Sequence, residues 1–466
     1  MASGKWSAVL GGQENTAASQ HAFIGGGYVN HAYSNYTSVS GGKQNKSGLA
    51  GQAAANAYAS VGGGQTNTAS GKWSAVCGGQ SNTASGTKTV IAGGEGNAAS
   101  RDFSAIGGGQ TNEVKTAGTH GFIGGGKEND VTAAYAVVAG GKSNVASGNY
   151  SFIGSGGAGG VGNTASGIGS AIVGGQGNTA SGNLAFAGGG SYNTASGAAS
   201  AIAGGGFSDA SAAYSIVAGG KAHDASGGYS FIGGGGSNTS SGPYSFVGGG
   251  YDNLAGGLGA LVVGGYSNTA SAMSIANVVC GGGRNTASGI YAAILGGYTN
   301  TASGSYSFIG GGSRAVANKH GQQAHAAGRF AADGDSQGSH FILRKSVTHN
   351  NANWTALNTD GSAALLSIAA DSAWAFSVLI VGATAGQAKT FGFKIEGVIE
   401  NDGGTTAIKG TPTVTVLDRG DDPSFDARAT ADNTNDALLI EVRDADGAGD
   451  TVRWVAHLHT GEVTYA

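Results

Sequence analysis

The chain has 466 residues, 93 of them glycine and only three proline, with 40% hydrophobic and 11% charged residues and a net charge of −4. Glycine lies far above the roughly 7% of ordinary proteins, which excludes an average globular enzyme, while the apolar content disfavours disorder. The slight acidity argues against a nucleic-acid partner, and without a run of roughly 18 apolar residues no helix is expected to insert into a membrane.

The glycines cluster about a dozen residues apart and not at every third position, which excludes collagen. Residues 2–17, "ASGKWSAVLGGQENTA", return almost unchanged as residues 69–84, "ASGKWSAVCGGQSNTA". Let the residue, usually Asn, two or three places after the last glycine of each cluster be the anchor. The anchors run Asn15, Asn30, Asn45, Asn67, Asn82, Asn97 and onward to Asn300 and Ala315, mostly fifteen residues apart. Four intervals are longer (45 to 67, 112 to 129, 144 to 163 and 268 to 285), as expected of loops on a regular object.

Six places before the anchor stands a branched aliphatic residue, as in Val9, Ile24, Val39 and Ile294, and eight before it a small one. Residues two apart on a strand share a face, so these places look one way and the place between them, often Ala or Phe, looks the other. Both faces are small or apolar, so both are expected to be covered. The "GG" supplies a turn, and "NTASG" a second short strand closed by glycine. Fifteen residues thus make two short strands and two turns, one coil of a parallel β-solenoid. A helical repeat is excluded, because glycine costs about 1 kcal/mol per residue in a helix. So small a coil has little interior, and its second apolar face is expected to be buried by copies of the same chain in a homotrimer. The chain opens at "MASG", inside a repeat, and is expected to continue a longer protein.

Cys77 and Cys280 occupy the small apolar place five before their anchors, many coils apart, so no disulfide between them is expected. Nine before the anchor lies a ring in most repeats, including Trp6, His21, Tyr36, Tyr58, Trp73, Phe103, His120, Tyr135, Tyr214 and Tyr306. Such a column could stack on sugars, but the simpler reading is that it covers the corner of each coil. The "NTAS" hydroxyls are expected to bond their own backbone in turns. There is no nucleophile motif, phosphate loop, metal spacing or cofactor motif. Acid pairs such as Glu128 and Asp130 read as solvated turns, so the chain is expected not to be an enzyme, and no catalytic, cofactor or metal residue is named.

After residue 315 the repeat ends, giving a shaft over 1–315, a connector over 316–345 and a compact β tip over 346–466. In the tip Phe391, Phe393 and Ile395 alternate with Lys394 and Glu396, and similar runs follow at 412–418, 437–443 and 451–460, the last two expected to form a hairpin through "DADGAGD". Trp374 and Phe376 read as core. Alternation points Val452, Trp454, Ala456 and Leu458 inward and Arg453, His457 and His459 outward, beside Glu441 and Arg443. The polar loop "HNNANWTALN" carries Asn350, Asn353 and Trp354, residue types suited to sugars and here expected to be exposed. The candidate receptor-binding set is therefore Trp354, Asn350, Asn353, Arg453, His457 and His459.

The repeat "YSFIGGGGSNTSSG" at 229–242 and its kin resemble the head repeats of trimeric autotransporter adhesins, which implies a left-handed parallel β-roll in a tight trimer. The segments "FAADGDSQGSHFILR", "ALNTDG", "GVIENDGGTTAIKGTPTVTV", "TADNTNDALLIEV" and "TVRWVAHLHTGEV", across 329–463, resemble the distal domain of tailed-phage tail fibres. Together the resemblances imply an all-β intertwined homotrimer, a β-roll followed by a β-sandwich-like tip, as part of an extracellular virion tail fibre. The expected partners are a host surface polysaccharide or lipopolysaccharide and proximal fibre or baseplate proteins. The alternatives are a fibre of a contractile injection system or tailocin, and the head of a bacterial surface adhesin.

Overall fold

The computed structural model describes residues 1–465 except 53, 55, 56, 116, 272, 273, 385–388, 421 and 448. The chain divides into two compact units, Met1–Ser237 and Asn238–Ala466.

The first unit is a parallel β-solenoid. Each coil contributes two strands of two residues, such as Ala8–Val9 and Thr16–Ala17. Each strand pairs in parallel with its counterpart in the next coil, so Val9 aligns with Ile24 and Ala17 with Ala32. Four places per coil form the interior: the branched aliphatic residue, the small residue two before it, the alanine two after the anchor, and the anchor itself. Ile91, Ala99, Thr89 and Asn97 are one such set, all fully buried.

The anchor asparagine is therefore an interior residue, which the turn-like composition of "NTASG" concealed. Asn97 Nδ2 donates to the carbonyls of Gly93 in its own coil (3.0 Å) and Gly109 in the next (2.9 Å), and its Oδ1 accepts the amide of Asn112 (3.0 Å). The same bonds recur at Asn67, Asn129 and Asn178, so buried carboxamides form a ladder that saturates polar backbone the apolar interior leaves unpaired. The second glycine of each "GG" is required sterically. Gly12 has φ +83°, and a Cβ there would meet the Gly27 carbonyl oxygen at 2.0 Å.

The second unit begins with further coils of the same kind, in which Asn253, Asn268, Asn285 and Asn300 continue such a ladder. Strand Phe308–Ser313 of the roll pairs in parallel with β1 (Gln323–Ala327), which turns antiparallel onto β2 (Ser336–Thr348). The other strands of the tip are β3 (Thr355–Ala356), β4 (Leu366–Ser367), β5 (Ser372–Thr384), β6 (Thr390–Asp402), β7 (Thr405–Asp418), β8 (Phe425–Asp432), β9 (Ala437–Asp444) and β10 (Thr451–Thr464).

The large sheet runs β1-β2-β10-β5-β6-β7, with β10 central. A small sheet is built on β9, which pairs β8 on one edge and β3 and β4 on the other. The core between the sheets joins Phe341, Leu343, Val378, Ile380, Phe393 and Trp454 of the large sheet to Phe425, Leu438, Ile440 and Val442 of the small one. Trp374 and Phe376 are buried as expected.

The expected hairpin between 437–443 and 451–460 does not form. β9 and β10 belong to different sheets, and the loop between them crosses from one layer to the other. Alternation still sets the faces correctly, with Val452, Trp454, Ala456 and Leu458 inward and Arg453, His457 and His459 exposed. Glu441 and Arg443 alternate with the inward Ile440 and Val442, so they face away from the core on the opposite layer and not beside Arg453.

Candidate functional site

The roll presents the column of rings nine places before the anchor. These residues sit in the left-handed region, with φ of +57° at Trp6, His21 and Tyr36. A bulky side chain is costly there. It is held by the backbone: the His21 amide donates to the Lys5 carbonyl and the Tyr36 amide to the Gln20 carbonyl. The rings stack in register, with centroids 4.8 Å apart for Trp6–His21, 4.7 Å for His21–Tyr36, 4.8 Å for Phe103–His120 and 5.1 Å for Tyr135–Tyr150. Each ring spends its faces on its neighbours, so the column offers edges and hydroxyls to solvent and few free faces to a sugar.

The second outward feature of the first unit is the place seven before the anchor. Phe23, Val90, Phe122, Phe186 and Ile216, with Phe152 at the equivalent place of a coil lengthened before its anchor, are each between 38% and 42% exposed, and each lies on a strand aligned with the equivalent strand of the next coil. This is an apolar stripe with the period of the roll.

In the tip the sequence-selected residues fall into two groups. Asn350 and Asn353 are exposed in the loop after β2, where the Asn353 amide donates to Asn351 Oδ1 (3.1 Å). Trp354, at the end of this loop, is half-buried, where exposure was expected. The reason is charge: the guanidinium carbons of Arg428 and Arg443 lie over its ring, 4.2 and 4.3 Å from the centroid. Register explains the meeting, since Thr355 aligns with Val442 and Glu441 with Arg428 across β3, β9 and β8. Glu441, itself buried, accepts from Arg428 Nε (2.8 Å) and from the Thr430 hydroxyl (2.7 Å), which fixes the cation against the indole.

Arg453, His457 and His459 form the other group, on the outward face of the large sheet. Pairing of β2 with β10 sets His340 opposite His459 and Ile342 opposite His457. His340 stacks on both histidines, with centroids 4.5 Å from His459 and 5.6 Å from His457. Sequence reading missed His340 because it lies 117 positions before His457 and only strand pairing reveals the cluster. Burial, then the neighbouring His459 and His457, holds the His340 imidazole below its ordinary 6.5. Leu379 and Val381 of β5 join this face, 51% and 52% exposed. Arg453 stands further along β10, opposite Ser346.

A third place was invisible in the linear sequence. Asp333, Asp335 and Glu462, with Lys319, Gln337 and Trp374, line one cavity of about 180 Å³. Glu462 accepts from Gln337 Nε2 (3.0 Å) and the Thr460 hydroxyl (2.6 Å). Asp335 is buried and accepts the amides of Phe330, Ala331 and Ala332, and Asp333 pairs with Arg314 (2.9 Å) and Arg329 (3.0 Å). Burial pulls the Lys319 ammonium below its ordinary value, against the opposing pull of Glu462.

No family model matches the chain, and no curated protein matches it in sequence. Among solved structures it is similar to a tailspike protein of Acinetobacter baumannii bacteriophage Fri1, a capsular polysaccharide depolymerase, with 8% identity and a TM-score of 0.21 over 96% of this chain and 72% of that one. It is also similar to the tailspike protein of Acinetobacter phage vB_ApiP_P1, with 11% identity and a TM-score of 0.17 over 94% of this chain and 82% of that one. The expectation that the chain is not an enzyme is corrected at this point. A depolymerase stands among its structural neighbours. The expectation had rested on reading acid pairs such as Glu128 and Asp130 as solvated turns, whereas folding lines one cavity with carboxylates from positions 333, 335 and 462.

Proposed function

We propose that the chain is a receptor-binding protein of a phage tail, a tail fibre or tailspike that meets the host surface polysaccharide or lipopolysaccharide with its β tip. The solenoid over 1–315 acts as the shaft, 316–345 joins it to the tip, and 346–466 is the tip. The observation that carries this reading is that in-register coils, present in both units, are followed in the chain by one non-repeating β domain whose outward faces bear Arg453, His457, His459 and the Trp354 cluster. A roll supplies length and stiffness, and a single non-repeating end supplies recognition.

The apolar stripe of the roll supports a homotrimer, since a partner matching its fifteen-residue period along the roll is most simply a copy of the chain. Three tips on one shaft would raise avidity for a repeating polysaccharide without any single strong contact. Proximal fibre or baseplate proteins complete the assembly on the virion. The test is adsorption of fluorescently labelled full chain to host cells before and after enzymatic or genetic removal of capsule and lipopolysaccharide. Loss of adsorption on removal supports the reading, and adsorption that is indifferent to both removals overturns it.

The carboxylate-lined cavity favours a second reading, in which the bound glycan is also cleaved. Release of reducing ends that Glu462→Gln abolishes would place hydrolysis there, and no release would leave binding alone.

A further inference from the structure

A second cavity of the tip, of about 360 Å³, is lined by Arg344, Lys345, Ser346, Asp360, Arg453 and Val455, among others. Pairing of β2 with β10 builds it: Arg344 aligns with Val455 and Ser346 with Arg453, so both arginines rise from the outward face of the large sheet on adjacent strands. The loop carrying Asp360 is tied alongside, because the Arg344 amide donates to the Asn358 carbonyl (2.9 Å). Lys345 reaches the same loop, donating to Asn358 Oδ1 (3.2 Å) and the Ser362 carbonyl (3.4 Å), both uncharged acceptors.

Among the described residues no carboxylate forms an ion pair with Arg344, Lys345 or Arg453. The one acid in the lining is committed elsewhere. Asp360 accepts the Ser362 hydroxyl (2.6 Å) and the amides of Ser362, Ala363 and Ala364 (2.8, 3.0 and 3.1 Å). Those bonds, the Ser362 hydroxyl first, hold its carboxyl far below the usual carboxylate range. Its negative charge is thus spread over its own turn and not shared with the arginines. Three cations against one such acid make a local positive site on a chain whose net charge is −4.

We infer that this cavity binds an anionic sugar residue, a carboxylate- or phosphate-bearing monosaccharide unit of a surface glycan. The volume lies within the range of small-ligand sites. Guanidinium groups bind carboxylate and phosphate oxygens with paired N–H donors, the Ser346 hydroxyl can exchange hydrogen bonds with a sugar hydroxyl, and Val455 offers an apolar surface to a ring face. This assignment rests on the reading of the tip as glycan-binding, and names the chemical class it selects.

The experiment is ligand-observed NMR and calorimetry on the full chain with glucuronate, glucose 6-phosphate and glucose, at low and at physiological ionic strength. The expected result is saturable binding of at least one anionic sugar, weakened by salt, with no measurable glucose binding. Arg344→Gln and Arg453→Gln, with melting points near that of the parent, should each weaken it about tenfold, the scale of one charged hydrogen bond. The tighter of the two anions identifies carboxylate or phosphate as the natural group. Glucose binding equal to the anions, no binding of any of the three, or full binding by both variants would overturn the site. Cell adsorption reports separately: adsorption without anionic-sugar binding sinks the site and leaves the function standing, while sugar binding without adsorption does the reverse.

Discussion

Replacing Asn97 by alanine tests the account of the roll. In the structure Asn97 Nδ2 donates to Gly93 O, Gly109 O and Asn82 Oδ1, and its Oδ1 accepts the Asn112 amide. Gly109 O keeps a second donor, the Glu95 amide at 2.9 Å, so its loss is tolerable. The Asn112 amide, on a fully buried residue, is left with no partner, the part-buried Gly93 carbonyl loses its side-chain donor, and a void the size of the carboxamide remains. An orphaned buried group costs about 1–3 kcal/mol, and water reaches the Gly93 carbonyl, so the Asn112 amide sets the expected cost at about 1–3 kcal/mol. Urea unfolding gives the magnitude and hydrogen exchange the location. The Asn112 amide should lose protection first, because coils of a solenoid couple mainly to their neighbours. Thr83→Ala is the control: its side chain is only half-buried on the outward side of the second strand, and the change should stay within about 0.5 kcal/mol. If Asn97→Ala costs no more than Thr83→Ala and the Asn112 amide stays protected, the ladder is not what holds the coils in register.

Three further outcomes are expected. Trp354→Ala should destabilise the tip by about 1–3 kcal/mol in thermal unfolding, since two guanidinium groups lose their aromatic partner, while Trp354→Phe should retain most of that contribution. His349 is buried and its Nε2 accepts the Trp454 Nε1–H (3.2 Å), which requires an unprotonated nitrogen. Burial holds its pKa below the ordinary 6.5, against the upward pull of Asp444 and Asp450, so the unfolded chain binds the proton more readily. Tip stability should therefore be full above pH 6.5 and decline as pH falls below it, a decline that His349→Gln should flatten in melts taken between pH 7 and pH 5. Phe152→Asp with Phe186→Asp should convert the proposed homotrimer to monomers by light scattering while circular dichroism keeps its β signature, and an unchanged mass would remove the stripe as the contact between copies.

The coil was legible because its period is short and its interior is set by local alternation: Val9, Ile24 and Val39 announced an inward place without any knowledge of pairing. The burial of the anchor was harder to see. In "NTASG" asparagine has the composition of a turn, yet the residue before it varies freely, as Glu14, Val29, Gln44 and Thr66, while the anchor stays Asn in most coils. Constancy beside variation is the mark of a packed position, and it was available.

In the tip, alternation gave the faces of β6 and β10 but not their partners. A short loop between two strands defaults to a hairpin, and the loop after β9 instead crosses between layers because Phe425, Leu438 and Ile440 need the large sheet's apolar face opposite them. His340 with His459, and Arg344 with Arg453, become neighbours only through that pairing, so no linear motif could have shown either cluster. Trp354 looked exposed because its loop is polar, and the arginines that cover it come from strands more than seventy residues later.

The most direct test of the central claim is binding of the labelled full chain to an array of bacterial surface polysaccharides, neutral and anionic, beside host-cell proteins. The account predicts binding confined to polysaccharides, strongest on those bearing carboxylate or phosphate and reduced by Arg453→Gln. Binding to the proteins with none to any polysaccharide would contradict it.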